Sequence, residues 1–375
     1  MPTCEVLVVG GGPAGAACAG ALRAQGADVM VVDRAVFPRD KVCAGWITPA
    51  VVQALKLDLA DYARTRVLQP FRGFRTGLMG GAALENRYPQ TVSYGIRRFE
   101  FDHYLLQRAG VPVALGMPVR SIKRQGRQWV INDTLAAAMV VGAGGNFCPV
   151  ARHLNDQVTG KPQVLAQVLA QEMEFQLSPD EARRSPVRGD TPELFFCRDL
   201  KGYGWCLRKD DYLNVGLGRE DPAPLPGQLY DFCAWLRSRG MIPAHPPARF
   251  HGHAYRLWGA DGPVRVGDGM LLVGDAAGLA RPQSGEGILP AIESGLLAAQ
   301  IIGHAAGDYR QAALAAYEPR LLAGYGLSPT LPVIGPRSAA LQAALGRALL
   351  GSRWFSRHVL LNRWFLHPGR LSPAG

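Results

Sequence analysis

Apolar residues in this chain gather in short runs, and three of these runs lead directly into glycine. Residues 5 to 10 form the first, small residues continue to Gln25, and a second apolar run spans Asp28 to Asp33. This order predicts strand, tight turn, helix and strand, one βαβ unit of about thirty residues. The run Ala136 to Val141 ends in Gly142-Ala143-Gly144-Gly145 and predicts a late strand of the same parallel sheet. Met270 to Val273 repeats the form before Gly274-Asp275-Ala276-Ala277-Gly278, and a long small-residue helix follows to about Gly303.

Between these blocks the texture changes. Gln163 to Leu177 and Glu193 to Gly218 are rich in β-formers of alternating polarity, and Arg208-Lys209-Asp210-Asp211-Tyr212 separates two runs as a hairpin turn would. Pro222, Pro224 and Pro226 mark a loop, with a short helix at 228–240. The pattern predicts an α/β chain, α+β overall. A discontinuous Rossmann-like nucleotide domain (1–50, 90–155 and 260–325) is interleaved with an antiparallel-sheet substrate or cap domain (51–89 and 156–259). A basic helical segment, 326–375, ends the chain.

With 375 residues the chain can bury two cores without staples. Its seven cysteines are scattered and lack metal-ligand spacing, which reads as a reduced cytoplasmic protein with no metal. The start Met-Pro-Thr-Cys-Glu has no signal-peptide pattern. The apolar stretch Gly287 to Ala306 carries Glu293 and His304, which argues against a bilayer span. The net charge of +11 comes without basic clusters interleaved with stacking platforms, so nucleic acid is not the expected partner. From Leu331 onward there are arginines at 337, 347, 353, 357, 363 and 370 and no Asp or Glu. Residues 337–366 mix these arginines with leucines and aromatics, which suits either a peripheral contact with anionic lipid or a helical pair packed on the catalytic domain. Nothing in the residues points to an oligomeric state.

The first turn reads Gly10-x-Gly12-x-x-Gly15 between a strand and a helix, with Asp33 closing the second strand. Gly10 makes the turn, Gly12 admits a pyrophosphate to the positive helix end, and Gly15 lets helix and strand pack closely. Asp33 accepts hydrogen bonds from an adenosine ribose and repels a 2′-phosphate, leaving FAD or NAD. The distant segment 271–295 favours FAD. There Asp275 stands at a strand end, where a carboxylate can bind ribityl hydroxyls. Gly285-Glu286-Gly287-Ile288 opens a helix whose free N–H groups can face a flavin carbonyl edge.

Together with "KVCAGWITP" at 41–49, "RRFEFDHYL" at 97–105 and "GYGWCLRKDDYLNVGLG" at 202–218, these stretches resemble the geranylgeranyl reductase group of the p-hydroxybenzoate-hydroxylase-like flavoproteins. The resemblance implies FAD held by the turn Gly10, Gly12, Pro13, Ala14 and Gly15. It assigns the adenosine ribose to Asp33 and Arg34, the pyrophosphate or nearby hydroxyls to Arg98, and the adenine to Val119. The ribityl chain falls to Asp275, and the isoalloxazine edge to Gly285, Gly287 and Ile288. Cys43 and Ala44 stand in the group's Lys-x-Cys-Gly-Gly signature, close to flavin and substrate, and Cys43 is the catalytic candidate. Tyr203 and Trp205 are expected to present aromatic surface to the substrate cavity.

The resemblance implies reduction of C=C bonds in a lipophilic, isoprenoid-like substrate by hydride from reduced flavin N5. The reductant is NAD(P)H or reduced ferredoxin or flavin. Gly144 replaces an aspartate that supports flavin and nicotinamide binding in the aromatic hydroxylases, and the halogenase Trp-x-Trp-x-Ile-Pro signature is absent. Two other readings stay open: a monooxygenase of an apolar or polyketide-like compound, and a membrane- or partner-binding flavoprotein with structural FAD. No histidine or carboxylate stands out as proton donor.

Overall fold

A computed structural model describes residues 1–159, 167–259, 262–325 and 339–366. The first apolar run becomes the strand Thr3–Val9, with Val6, Leu7 and Val8 fully buried. It is covered on both faces, which is why its pattern is continuous and not alternating. It pairs in parallel with Val29–Val32 on one side and Leu135–Gly142 on the other, and the latter pairs in parallel with Met270–Leu272. Val113–Ala114, Val266–Gly267 and the hairpin Ile122–Gln125 with Gln128–Ile131 complete an eight-stranded sheet.

The helix Pro13–Ala24 packs on the helix Ile288–Ala305, so closely that a Cβ on Gly295 would lie 2.3 Å from the Ala14 carbonyl oxygen. By length and composition Ile288–Ala305 passes for a membrane span. Its Ile292, Ala298 and Ala299 are fully buried among core residues, as in the central helix of a layered α/β fold.

The second sheet has seven strands in the order His251–Tyr255, Val168–Gln176, Tyr212–Arg219, Gly202–Lys209, Glu193–Phe196, Gly73–Leu78 and Ala83–Arg87. All its pairings are antiparallel except Glu193–Phe196 with Gly73–Leu78. The hairpin turns at Asp210-Asp211, with Asp210 in the left-handed region at φ +55°. One face is covered by the helix Leu225–Ser238, whose Leu229 and Phe232 pack with Cys206, Leu213, Val215 and Leu217. This helix starts and ends earlier than the predicted 228–240. Pro224 is its N-cap and Pro226 falls in its first turn, where a missing N–H leaves no bond unmade.

A third, three-stranded sheet (Trp46–Ile47, Ser93–Ile96, Leu68–Phe71) completes the β structure among the described residues. The basic C-terminal stretch forms the helix Ala339–Leu350, a short turn Arg353–Phe355, and a π-helical segment Ser356–Leu366. Of the predicted segment 326–375, residues 326–338 and 367–375 lie outside the described residues. Leu350, Leu360, Leu361, Phe365 and Leu366 are buried with Phe74, Leu194 and Trp205 of the second sheet, while Leu345, Leu349 and Trp354 stay exposed.

Candidate active site

The three sheets enclose one large cavity of about 1140 Å³. Gly10, Gly12, Pro13, Ala14, Asp33, Arg34, Cys43, Ala44, Arg98, Val119, Tyr203, Trp205, Asp275, Gly285, Gly287 and Ile288 all line it. Gly15 does not. It lies beneath the turn, where a Cβ would come 1.9 Å from the Gly10 carbonyl oxygen, and its part is the close packing of helix on strand.

The glycine end fits a dinucleotide. Gly10 turns at φ +118°, and a Cβ there would meet the Ala143 backbone at 2.4 Å. Asp33 is fixed by the Gly11 N–H at 2.7 Å and the Ala35 N–H at 2.8 Å. The sequence reading missed Arg39, which stacks over Phe37 (4.7 Å), pairs with Asp102 (3.1 Å) and reaches to within 3.5 Å of where a Gly12 Cβ would be. Among the described residues its buried Nη1 has no protein partner, nor has either amide atom of Asn146, which lines the same cavity. A buried polar group left unpaired costs about 1–3 kcal/mol, so these atoms suit the oxygens of a pyrophosphate and the polar edge of a flavin. Arg98, expected at the pyrophosphate, is held in a bidentate pair with Asp102 (2.7 and 2.8 Å) and lies beside the Cys43 thiol.

Asp275 sits in the short 3-10 turn Gly274–Ala277, just past the end of the strand Met270–Leu272. Burial would raise its pKa, but His253, 3.5 Å away, together with Lys41 and Arg98, holds it below the usual carboxylate range. Lys41 contacts His253 Nε2, and burial brings its own pKa down to about 8. The helix Ile288–Ala305 begins beside them with Gly287 as N-cap. Its first N–H groups have no intrahelical acceptor, an arrangement able to stabilise negative charge. Glu286 is engaged with Arg281 at 3.0 Å and shapes the preceding turn.

The cavity floor holds the groups that sequence reasoning did not find. Glu172 and Glu174 project from one face of the strand Val168–Gln176 toward Asn214, whose Nδ2 lies 3.2 Å from both carboxylates and from the Cys43 carbonyl oxygen. Lys209 is fully buried and pairs with Glu174 at 2.5 Å, and Arg97 donates to the other Glu174 oxygen at 2.9 Å. Against the burial that would raise it, these two cations keep Glu174 ionised. Glu172 accepts the Cys43 N–H, and burial pushes its pKa up to about 7. Two carboxyl groups two residues apart therefore differ in protonation near neutral pH.

The far end is aromatic. Tyr203 donates from its hydroxyl to the Ser284 carbonyl oxygen at 2.6 Å, and Trp205 Nε1 donates to Asn214 Oδ1 at 2.7 Å. Both rings are thereby packed and polar-anchored while still facing the cavity. Cys206, one residue on, points to the opposite face and is buried under the helix Leu225–Ser238.

The FAD binding domain family matches residues 3–56. A menaquinone reductase of Mycobacterium tuberculosis is 30% identical over 317 residues, spanning 80% of this chain and 76% of that protein. A digeranylgeranylglycerophospholipid reductase of Methanothrix thermoacetophila is 28% identical over 340 residues, covering 84% and 82%. A crystal structure of a geranylgeranyl bacteriochlorophyll reductase-like protein from Thermoplasma acidophilum superposes with a TM-score of 0.71 at 20% identity, over 93% of this chain and 88% of that one, and so shares the fold. The cofactor is FAD, and the chain belongs to the geranylgeranyl-reductase-like group of the p-hydroxybenzoate-hydroxylase-like FAD-dependent oxidoreductases.

Proposed function

We propose that this protein reduces C=C bonds of a lipophilic, isoprenoid-like substrate. The observation that carries the reading is that an aromatic cavity end and Glu172, a buried carboxyl whose pKa burial pushes up to about 7, line the same cavity. The relatives named for reduction of menaquinone and of digeranylgeranylglycerophospholipid support a lipid substrate. All seven cysteines are free thiols, which suits a reducing, cytoplasmic setting.

Bound FAD, once reduced, supplies the hydride. The glycine turn, Asp33 and Arg39 hold the nucleotide end, and Asp275 with the N-terminus of Ile288–Ala305 holds the flavin end. Tyr203 and Trp205 exclude water and orient the apolar chain. Glu172 donates a proton from its carboxyl to the second alkene carbon and becomes a carboxylate. Cys43 keeps the floor loop in place: its thiol accepts the Gly45 N–H at 3.4 Å and lies beside the Arg98 guanidinium.

The test is to mix anaerobically reduced holoenzyme with a polyprenyl alkene and follow flavin absorbance and product mass. Flavin oxidation in step with a product two hydrogens heavier supports the reading. Oxygen-dependent formation of a hydroxylated product, with no anaerobic reaction, overturns it. In the same assay Cys43→Ser is expected to retain FAD and lose most of the reduction, about tenfold or more in kcat. Unchanged turnover would show that the thiol's hold on the Gly45 N–H does not matter to the reaction.

A further inference from the structure

We infer that Phe365, brought in from the C-terminal segment, is the end wall of the substrate cavity and sets the length of hydrocarbon chain that fits. The inference rests on the lipophilic-substrate reading above and adds what limits that substrate. Phe365 is buried, lines the cavity, and comes from a part of the chain remote from every cofactor motif. Its ring stacks on Trp46 at 5.4 Å with the planes 7° apart, and meets Tyr203 edge-on at 5.6 Å and 78°. Tyr203 is itself tied to Ser284, next to Gly285 of the flavin segment. An aromatic row thus runs from the C-terminal segment to the place where the flavin edge is expected.

The segment that carries Phe365 is fastened elsewhere. Ser356 is fully buried, with its hydroxyl 2.6 Å from Thr76 Oγ1 and accepting from Asn86 Nδ2 at 2.9 Å. Asn362 accepts the Tyr88 hydroxyl at 2.8 Å, and Arg357 lies over the Tyr88 ring at 5.0 Å while donating to the Arg87 carbonyl oxygen at 3.2 Å. These contacts fix the backbone on strands Gly73–Leu78 and Ala83–Arg87 and on the turn beyond, away from the cavity. The backbone that carries Phe365 is therefore fastened by groups other than its ring. The wall can be thinned or thickened by changing that ring while the fastening remains. The π-helical winding of Ser356–Leu366 sets the ring's direction, and such windings recur at functional sites.

The experiment measures binding of geraniol, farnesol and geranylgeraniol, and of straight-chain alcohols of matching length, to oxidised holoenzyme by calorimetry. Wild type, Phe365→Leu and Phe365→Trp are compared, the two variants keeping an apolar side chain at the buried position. Phe365→Leu is expected to shift the preference toward longer chains and Phe365→Trp toward shorter ones, each by about tenfold in the ratio of longer to shorter ligand, the discrimination that one or a few methylenes bring in an apolar pocket. A merely structural role would weaken all ligands alike. The same length order in all three proteins overturns the wall. Opposite shifts with the straight chains, without binding of the prenyl series, keep the wall and remove the isoprenoid from the functional reading. Failure of every apolar chain to bind wild type overturns both.

Discussion

Glu172→Gln is expected to keep the fold and its FAD while slowing alkene reduction about 10²-fold or more, the range lost when a positioned general acid is removed. Glutamine has nearly the same shape and can still accept the Cys43 N–H through its amide oxygen, which keeps the floor loop in place; its NH2 then replaces the oxygen that accepts from Asn214 Nδ2, and the transferable proton is gone. The wild-type rate carries a matching pH signature. Burial keeps Glu172 protonated up to about pH 7, so kcat should fall as pH rises through that value, and the fall should be absent from the residual rate of the variant. Stability offers a readout independent of turnover. The folded chain holds this proton between the ordinary glutamate value of 4.5 and about 7, whereas the unfolded chain releases it. The wild-type protein therefore loses stability relative to Glu172→Gln as pH rises across that window. A pH-independent difference in melting temperature would show that Glu172 does not carry the shifted proton. An undiminished rate in the variant would assign proton donation to another group.

The nucleotide end was legible because its chemistry is local. A strand, three spaced glycines and an aspartate lie within one βαβ unit, and each answers to a backbone requirement that only those residues meet. Glu172 and Glu174 were hidden by the same rule that makes strands readable. In Val168–Gln176 they alternate with Met173 and Phe175, and an alternating polar face normally meets water. Here that face meets a cavity, and only the cross-strand pairing of Glu174 with Asn214 brings the cluster together. The two glutamates two residues apart were the available signal. Lys209 was passed over as part of a polar hairpin turn, although it is the last residue of its strand and points inward.

The C-terminal stretch shows a different failure of pattern. At 3.6 residues per turn its apolar residues define no clear face. Leu360 with Phe365 and Leu361 with Leu366 are each five apart, and the i to i+5 winding of a π-helix brings them to one side. A 3.6-residue period does not describe this segment. Of the arginines that suit either a lipid contact or a packed helical pair, Arg347 and Arg357 donate to the carbonyl oxygens of Arg198 and Arg87 in the protein itself.

Lys209→Met should be among the most destabilising single changes in this chain, at about 3–5 kcal/mol, as when one partner of a buried ion pair is removed. Each of the ammonium's three protons has a partner: the Ala44 carbonyl oxygen at 3.0 Å, the Ile96 carbonyl oxygen at 3.0 Å, and Glu174. The sequence has shaped the loop around this contact. Gly45 adopts φ +65°, and a Cβ there would lie 2.1 Å from the Ile96 carbonyl oxygen and 2.6 Å from Nζ, so only glycine allows the chain so close. Methionine fills the volume but leaves two carbonyls unpaired and Glu174 with Arg97 as its remaining cationic partner. The denaturation midpoint should fall with the slope unchanged. A second effect distinguishes the electrostatic role from packing. Lys209 lowers the pKa of Glu172, so its loss should move the decline of kcat to higher pH. Lys209→Arg, which keeps the charge, should leave that decline near its wild-type position even if packing suffers. If Lys209→Met lowers stability without moving the pH profile, the ammonium props the Cys43 loop and takes no part in setting the proton on Glu172.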